Sequence, residues 1–149
     1  EALYKQYQHI YINKDKTGAA VWLPSGIATA LPWHWRLLPV ALQLLRYGGL
    51  KGLVRSIQFE KLADQWRIEE AHFYLHTVGA SFGNQGRGVG SALLKAGLQA
   101  CDEAGMPAYL ESTNEKNNML YQRFGFEVIG QQHLPGAGPM IWFMRRPRR

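Results

Sequence analysis

A glycine-rich turn that leads directly into a helical pattern constrains the fold of this 149-residue chain more than any other feature. The turn, "GNQGRGVG", follows the strand-like segment "HFYLHTVGA" and precedes a run, from 89 to about 103, whose apolar residues recur at helical spacing. Another strand-like segment, "PAYLEST", comes after the helix. A strand, a crossover helix and a second strand form a right-handed unit with parallel strands. We therefore expect a parallel strand pair in the sheet, formed across the turn.

Hairpins and helices predicted on either side of this unit complete the sheet. Near the start, β-prone runs flank the polar turn "NKDKTG", a pattern typical of a hairpin. Helices are predicted over about 33–47 and 50–63, separated by Gly48 and Gly49. A short helix in "NEKNNMLYQRF" and strands in "GFEVIGQQHLP" and "PMIWFMR" follow. The prediction is a single domain over 1–149, an α/β (α+β) fold with one mixed, mostly antiparallel sheet flanked by helices.

Composition excludes several other classes of protein. With 46% hydrophobic and 19% charged residues, the chain matches an ordinary globular domain. No apolar run approaches the ~20 residues that a membrane-spanning helix needs, and the first residues lack the pattern of a signal peptide. Cys101 is the only cysteine, which excludes an internal disulfide and the usual zinc spacings. We expect Cys101 to be a buried small hydrophobe in a cytoplasmic protein.

Two further features invite other interpretations. The net charge is +6, but four of the seventeen Lys and Arg residues lie in the terminal "RRPRR", which we expect to be a solvated tail. His72 and His76 are four residues apart on the predicted strand and share a face. Since no third ligand lies nearby in sequence, we expect no metal site.

The glycine turn is suited to a phosphate, because glycines leave successive backbone N–H groups accessible and a helix N-terminus favours an anion. It does not match the dinucleotide pattern G-x-G-x-x-G, whose third glycine would fall on Ser91 or Leu93. It does not match the P-loop either, because Val89 stands where that pattern needs lysine. From Gln85 to Gly90 it matches Q/R-x-x-G-x-G instead.

This pattern resembles the pyrophosphate-binding signature of the GNAT acetyltransferase superfamily, and two other segments resemble the same family in the same order. "NEKNNMLYQRFGF" places Asn114 and Tyr121 seven residues apart and ahead of Gly125 and Phe126, and "TVGA" is similar to the strand beside the family's cofactor. The resemblance covers 72–145 and is nearest within the puromycin N-acetyltransferase-like group. It implies a GNAT fold with splayed central strands, and an N-acetyltransferase that uses acetyl-CoA and no metal.

The resemblance also implies roles for individual residues. Tyr121 would be the general acid that protonates the leaving thiolate when a primary amine of a small molecule or peptide attacks directly. Asn114 would contact the pantetheine arm, and Gly79 would form a bulge in its strand. Glu111 would orient the acceptor amine or relay its proton; the alternative is that Glu111 only bonds within the sheet. The residues implied to bind acetyl-CoA are Val78, Gly79, Ala80, Gln85, Gly86, Arg87, Gly88, Val89, Gly90, Ser91, Asn114 and Tyr121.

The chain departs from the family at its start. The family places a strand and two helices ahead of the first hairpin, whereas here the hairpin is predicted near residue 10. We therefore expect either a truncated chain or a partner subunit, as in a homodimer, that completes the acceptor pocket. Two alternative functions stay open: a CoA-binding module without catalysis, and a nucleic-acid binder that uses the basic tail and aromatic residues.

Overall fold

The computed structural model describes residues 9–24 and 38–149 of the chain. Within them, one sheet has the strand order β1-β2-β3-β4-β6-β5. The strands are β1 (Ile10–Ile12), β2 (Gly18–Leu23), β3 (Phe73–Ala80), β4 (Ala108–Ser112), β5 (Glu127–His133) and β6 (Met140–Arg146), and the helices are α1 (Leu38–Trp66), α2 (Val89–Glu103) and α3 (Glu115–Arg123). The β3–β4 pair is parallel, and the neighbouring pairs in the described sheet are otherwise antiparallel. The expected fold class, a mixed and mostly antiparallel sheet flanked by helices, is confirmed.

Helix α1 contains a break where the sequence predicts one. Gly49 has φ 61° and ψ −171°, which interrupts the helical backbone inside Leu38–Trp66. A positive φ is accessible to glycine without the strain that a side chain would add. The prediction of two helices separated at Gly48 and Gly49 is therefore confirmed, although the second helix ends at Trp66 rather than near Ala63. The first part of the earlier helix, 33–37, lies outside the described residues.

Helices cover both faces of the sheet. Successive side chains of a strand point to opposite faces, so the sheet contributes to two separate buried clusters. On one face, Leu93, Leu94 and Leu98 of α2 pack against a buried cluster that includes Trp22 and Leu110. Cys101 of α2 is also in this cluster and is fully buried, as expected. On the other face, residues from the end of α1 pack on a second cluster, whose buried members are Leu62, Tyr109, Leu134, Ile141 and Phe143.

Strands β3 and β4 are paired at one end and separate towards the other. Among the described residues, they pair at Phe73 with Ala108 and at Tyr74 with Tyr109. Beyond Tyr74, β3 continues to Ala80 paired with β2, whereas β4 continues to Ser112 paired with β6. The expected splay of the central strands is therefore confirmed, and it leaves the edge of β3 that faces β4 unpaired with that strand.

The bulge in β3 lies at a different residue from the one predicted. Val21 pairs with Thr77 and Trp22 pairs with Leu75, so His76 is the extra residue. The prediction of a bulge at Gly79 is wrong, because Gly79 pairs regularly with Ala19. The bulge is therefore formed at His76 rather than at a glycine.

The basic C-terminus is only partly a solvated tail. Arg146, 3% exposed, lies in β6 and donates two hydrogen bonds to the carboxylate of Asp102, at 2.7 and 3.0 Å, and one to the Phe124 carbonyl oxygen at 3.0 Å. Arg145 forms an ion pair with Glu70. The expectation of a solvated tail is wrong for these two arginines, because β6 extends to Arg146 and fixes both.

The described part of the chain contains neither a membrane-spanning helix nor a cluster of metal-ligating side chains. None of its helices has the length and apolar character needed to cross a membrane. In the same residues, no group of three or more His, Cys, Asp or Glu side chains could hold a metal ion. His72 precedes β3 and its ring packs edge-on against Tyr109, while the ring of His76 packs edge-on against Tyr74.

Candidate active site

The glycine turn adopts a backbone that requires glycine. Gly83, Gly86 and Gly88 have φ of 82°, 74° and 82°, in the left-handed region where L side chains are strained. Gly88 is the N-cap of α2 and has no side chain to accept from the N–H groups of the first helical turn. These N–H groups lack helical partners, so they remain available to an anion at the positive end of the helix.

A cleft of about 530 Å³ opens at this turn. It is bounded by the end of β3, the turn, the first residues of α2 and one side of α3. The predicted binding residues that line it are Val78, Gly79, Ala80, Gln85, Gly86, Gly88, Val89, Gly90, Ser91, Asn114 and Tyr121. Two predicted residues, Arg87 and Glu111, are not among its lining residues. The fold thus brings together most residues of segments that are distant in sequence, and their roles remain predictions.

Four lining residues were not predicted from the sequence: Asn84, Asn117, Leu120 and Arg123. Asn117, Leu120 and Arg123 belong to α3, the helix that already carries Tyr121. Helical periodicity could have identified Asn117, because residues three and four apart share a face and Tyr121 lies four residues later. Asn84 belongs to the turn, where its backbone N–H donates to the Ser81 carbonyl oxygen.

Tyr121 lies at the wall of the cleft with its ring buried, 7% exposed. The ring packs edge-on against Phe126, with centroids 6.1 Å apart. Its hydroxyl makes no hydrogen bond to another described residue. Burial raises the pKa of Tyr121, so the phenol keeps its proton at neutral pH. A protonated phenol in a cleft is suited to donate a proton to a developing anion.

Asn114 also has a structural role in α3. It is the N-cap of α3, and its Oδ1 accepts from the backbone N–H of Lys116 at 3.1 Å. Asparagine is among the preferred residues at this position because its side chain replaces a missing helical acceptor. The side chain also lines the cleft. Its predicted contact with a pantetheine arm would therefore come from a residue already fixed by the helix.

Glu111 lies on β4, two residues after Tyr109, and therefore on the same face of the sheet. Burial raises the pKa of Glu111, and the phenols of Tyr74 and Tyr109 partly oppose that rise. Burial raises the pKa of both phenols in turn, and the charge of Glu111 raises each further. Tyr109 Oη and Glu111 Oε1 are nevertheless buried without a hydrogen-bond partner among the described residues. The structure thus places an incompletely paired carboxyl group between two phenols, beside the point where β3 and β4 separate.

Comparison with known proteins identifies the family of this chain. A sequence model of the Acetyltransferase (GNAT) domain matches residues 49–128, more than half of the chain. The chain belongs to the GNAT acetyltransferase domain family. The matched residues include the glycine turn, Glu111, Asn114 and Tyr121.

Relatives of this GNAT domain carry acetyltransferase names. A protein of Schizosaccharomyces pombe named Uncharacterized N-acetyltransferase C550.08 is 38% identical over 65 residues, 43% of this chain and 26% of the relative. Mycothiol acetyltransferase of Propionibacterium freudenreichii subsp. shermanii is 35% identical over 81 residues, 52% of this chain and 25% of the relative. The matched segments thus span about a quarter of the length of these two relatives.

Solved structures similar to this GNAT domain share its fold. The structure described as histone acetyltransferase HPA2 and related acetyltransferase, from Corynebacterium glutamicum, has a TM-score of 0.64 and 24% identity, covering 99% of this chain and 71% of that one. Naa20 of Chaetomium thermophilum, in complex with a bisubstrate analogue, has a TM-score of 0.60 and 14% identity, covering 99% and 72%. At these identities the likeness concerns the fold alone, and it agrees with the expected GNAT architecture.

Proposed function

We propose that this chain is an N-acetyltransferase that transfers the acetyl group of acetyl-CoA to a primary amine of a small molecule or peptide. The observation that carries the proposal is the cleft. It joins a helix N-terminus suited to phosphate, the splayed end of β3 and the protonated phenol of Tyr121. Membership of the GNAT family supports the reaction class. The names of the two relatives, an N-acetyltransferase and a mycothiol acetyltransferase, support it as well.

The donor would be held mostly by backbone groups. The pyrophosphate of acetyl-CoA would accept from N–H groups of the turn and the start of α2, between Gly86 and Ser91, where the helix dipole favours an anion. Its pantetheine arm would lie along the edge of β3 at Val78–Ala80, which is not paired with β4. One N–H of that edge would donate to the thioester carbonyl oxygen as negative charge develops on it.

The residues around the gap would divide the proton transfers. The amine would attack the thioester carbon, and the carbon–sulfur bond would break with the electron pair leaving on sulfur. Tyr121, on the face that α2 and α3 cover, would donate its proton to that sulfur. Glu111, on the opposite face, would orient the amine and take up its proton. Cys101 is fully buried, so an acyl-enzyme through this thiol is not part of the proposal.

The test compares Tyr121→Phe with the matched variant Tyr47→Phe, whose phenol is 83% exposed on α1. Release of free CoA thiol is followed with acetyl-CoA and a panel of primary amines, and CoA affinity is measured by calorimetry. Loss of a general acid should lower turnover by ~10²–10⁴-fold while CoA affinity stays as in the unaltered chain. Tyr47→Phe should behave as the unaltered chain. An unchanged rate for Tyr121→Phe would refute the assigned role.

The same assays decide between the alternatives. Binding of CoA without turnover across the amine panel would favour a non-catalytic CoA-binding module. Two of the four arginines in "RRPRR" form ion pairs, Arg145 with Glu70 and Arg146 with Asp102. Their positive charges are partly neutralised, which disfavours nucleic-acid binding through this segment. A homodimer and a cytoplasmic location stay predictions.

A further inference from the structure

A second cavity adjoins the cleft and is rich in basic side chains. It measures about 440 Å³ and lies between α2, the end of α3 and the C-terminus. Its cationic lining residues are Lys95, Arg123, Arg146 and Arg149, and we call this cavity the basic basin. Asp102 and Glu103 are its acidic lining residues. The balance of formal charge in the basic basin is therefore positive.

The acidic residues of the basic basin are already engaged. Both carboxylate oxygens of Asp102 accept from Arg146, and a carboxylate oxygen of Glu103 accepts from the Gln99 amide at 2.8 Å. Lys95, Arg123 and Arg149, in contrast, form no salt bridge to a described residue. None of the three is therefore held in an ion pair with a described carboxylate.

The side chain of Arg149 lies against the fold, near Gly125. A Cβ built on Gly125 would come within 2.9 Å of Arg149 Nη2 and 3.7 Å of Arg146 Nε. The charge of Arg149 also contributes to the low pKa of Asp102, after the larger effect of Arg146. The Arg149 guanidinium therefore belongs to the electrostatic environment of the basic basin.

The basic basin and the cleft share a lining residue and lie along the same face of α2. Ser91 lines the cleft, and Lys95, four residues later on the same face of α2, lines the basic basin. At 1.5 Å per residue, Lys95 lies roughly 9 Å along α2 from Val89. Arg123 lines both cavities. An anionic ligand at the start of α2 would therefore have these cations beside it.

We propose that the basic basin binds the 3′-phosphate of CoA, with Arg123 as its main ligand and with Lys95 and Arg149 adding charge. This inference rests on the proposed binding of acetyl-CoA in the cleft. CoA carries a phosphate monoester on its ribose in addition to the pyrophosphate, and a cationic cavity at short range from the pyrophosphate site would attract that second anion. A guanidinium suits this group because it can donate two parallel hydrogen bonds to phosphate oxygens.

The experiment measures binding of CoA and of 3′-dephospho-CoA by calorimetry. It uses the full chain, Arg123→Gln, and Lys116→Gln as the matched control. Lys116 is exposed on the same helix as Arg123, and it lines neither the cleft nor the basic basin. Thermal unfolding verifies that each variant is folded, which we expect because both side chains are exposed.

We expect the unaltered chain and Lys116→Gln to bind CoA roughly tenfold more tightly than 3′-dephospho-CoA, the scale of one charged hydrogen-bonded contact. Arg123→Gln should remove most of that preference and leave the affinity for 3′-dephospho-CoA unchanged. Raising the salt concentration should weaken CoA binding more than 3′-dephospho-CoA binding.

Equal affinity of the unaltered chain for the two compounds would overturn this inference and leave the proposed function standing. A preference that persists in Arg123→Gln, or that Lys116→Gln also loses, would overturn the assignment to Arg123. Failure of the unaltered chain to bind either compound would overturn the proposed function and this inference together.

Discussion

Two glycines of α2 make a matched pair for testing how the helix is held on the sheet. A Cβ built on Gly97 would lie 2.1, 2.3 and 2.7 Å from the Nε1, Cε2 and Cδ1 atoms of Trp22. A Cβ on Gly90 would meet Leu120 Cδ2 at 3.6 Å, an ordinary van der Waals distance. Neither position has a positive φ. The two Gly→Ala changes therefore share a helix and a chemistry and differ in the space available.

The expected magnitudes follow from two opposing effects. Replacing glycine by alanine inside a helix stabilises it by about 1 kcal/mol. At Gly97 the added methyl must displace an indole that is 1% exposed and enclosed by the core. Overpacking of this kind costs about 3 kcal/mol at the upper end of the common range. The net expectation for Gly97→Ala is a loss of about 2 kcal/mol, or ~4–8 °C in Tm for a chain of this size.

Urea denaturation followed by tryptophan fluorescence and by circular dichroism gives the free energy of unfolding of each variant. Gly90→Ala should be as stable as the unaltered chain or more stable by up to about 1 kcal/mol. The packing argument is refuted if Gly97→Ala equals or exceeds Gly90→Ala in stability with an unchanged m-value. In the same samples, weaker CoA binding by Gly90→Ala without a loss of stability would support close approach of a phosphate to that backbone.

The ion pair between buried Arg146 and the exposed carboxylate of Asp102 gives one further prediction, and the buried cysteine gives another. Asp102→Asn should lower the free energy of unfolding by about 2 kcal/mol, because Arg146 keeps its charge in a buried site and loses its carboxylate. Since Arg146 lowers the pKa of Asp102 in the folded state, the pair stabilises the fold above the unfolded-state pKa near 3.8 and that contribution is lost as pH falls through the lower folded value. Stability measured by denaturation from pH 5 to 2 should therefore fall more in the unaltered chain than in Asp102→Asn, and parallel curves would contradict this. Burial raises the pKa of Cys101 to about 12, so a thiol reagent at pH 8 should label it only after denaturation; labelling of the folded chain at the rate of a free thiol would show that the site opens.

Much of the fold could be predicted because local chemistry marks its boundaries. The glycine turn precedes α2, and apolar residues at helical spacing predict its extent from 89 to about 103, which agrees with the observed Val89–Glu103. Gly49 interrupts α1 because it adopts a positive φ. These features depend on residues close in the chain, where backbone preference and periodicity decide the outcome.

The errors concern features that depend on cross-strand contacts. A glycine in a strand favours a bulge at that position, but register with β2 places the bulge at His76 instead of Gly79. "RRPRR" has the composition of a tail, and only pairing in the sheet reveals that Arg146 faces Asp102. Register and long-range ion pairs are set by the packed sheet, so a single sequence does not determine them.

Some residues of the candidate site could likewise be predicted from the sequence, whereas others depend on packing between distant segments. Tyr121 and the turn were identifiable because their spacing resembles that of a family, and the fold brings them to one cleft. Tyr109 was not identified, since its fully buried phenol carries no motif and its relation to Glu111 depends on alternation along β4. Arg123 was missed because nothing in its neighbours in sequence distinguishes it from a solvated arginine.

The short contact between β3 and β4 has a mechanical consequence. Within the described residues, the sheet consists of one leaf, β1-β2-β3, and another, β4-β6-β5, which meet at Phe73–Ala108 and Tyr74–Tyr109. With two rungs between the leaves of the described sheet, we expect the sheet to bend more readily here than between β2 and β3 or between β4 and β6. Helix α2 connects the two leaves along the chain. Bending at the two rungs would change the width of the gap between the end of β3 on one leaf and Glu111 on the other, whereas Tyr121 would move with Glu111, because α3 follows β4 and contacts it. A ligand bound in the gap would contact both leaves and restrict bending between them. A ligand that binds more tightly should therefore also make the sheet more rigid.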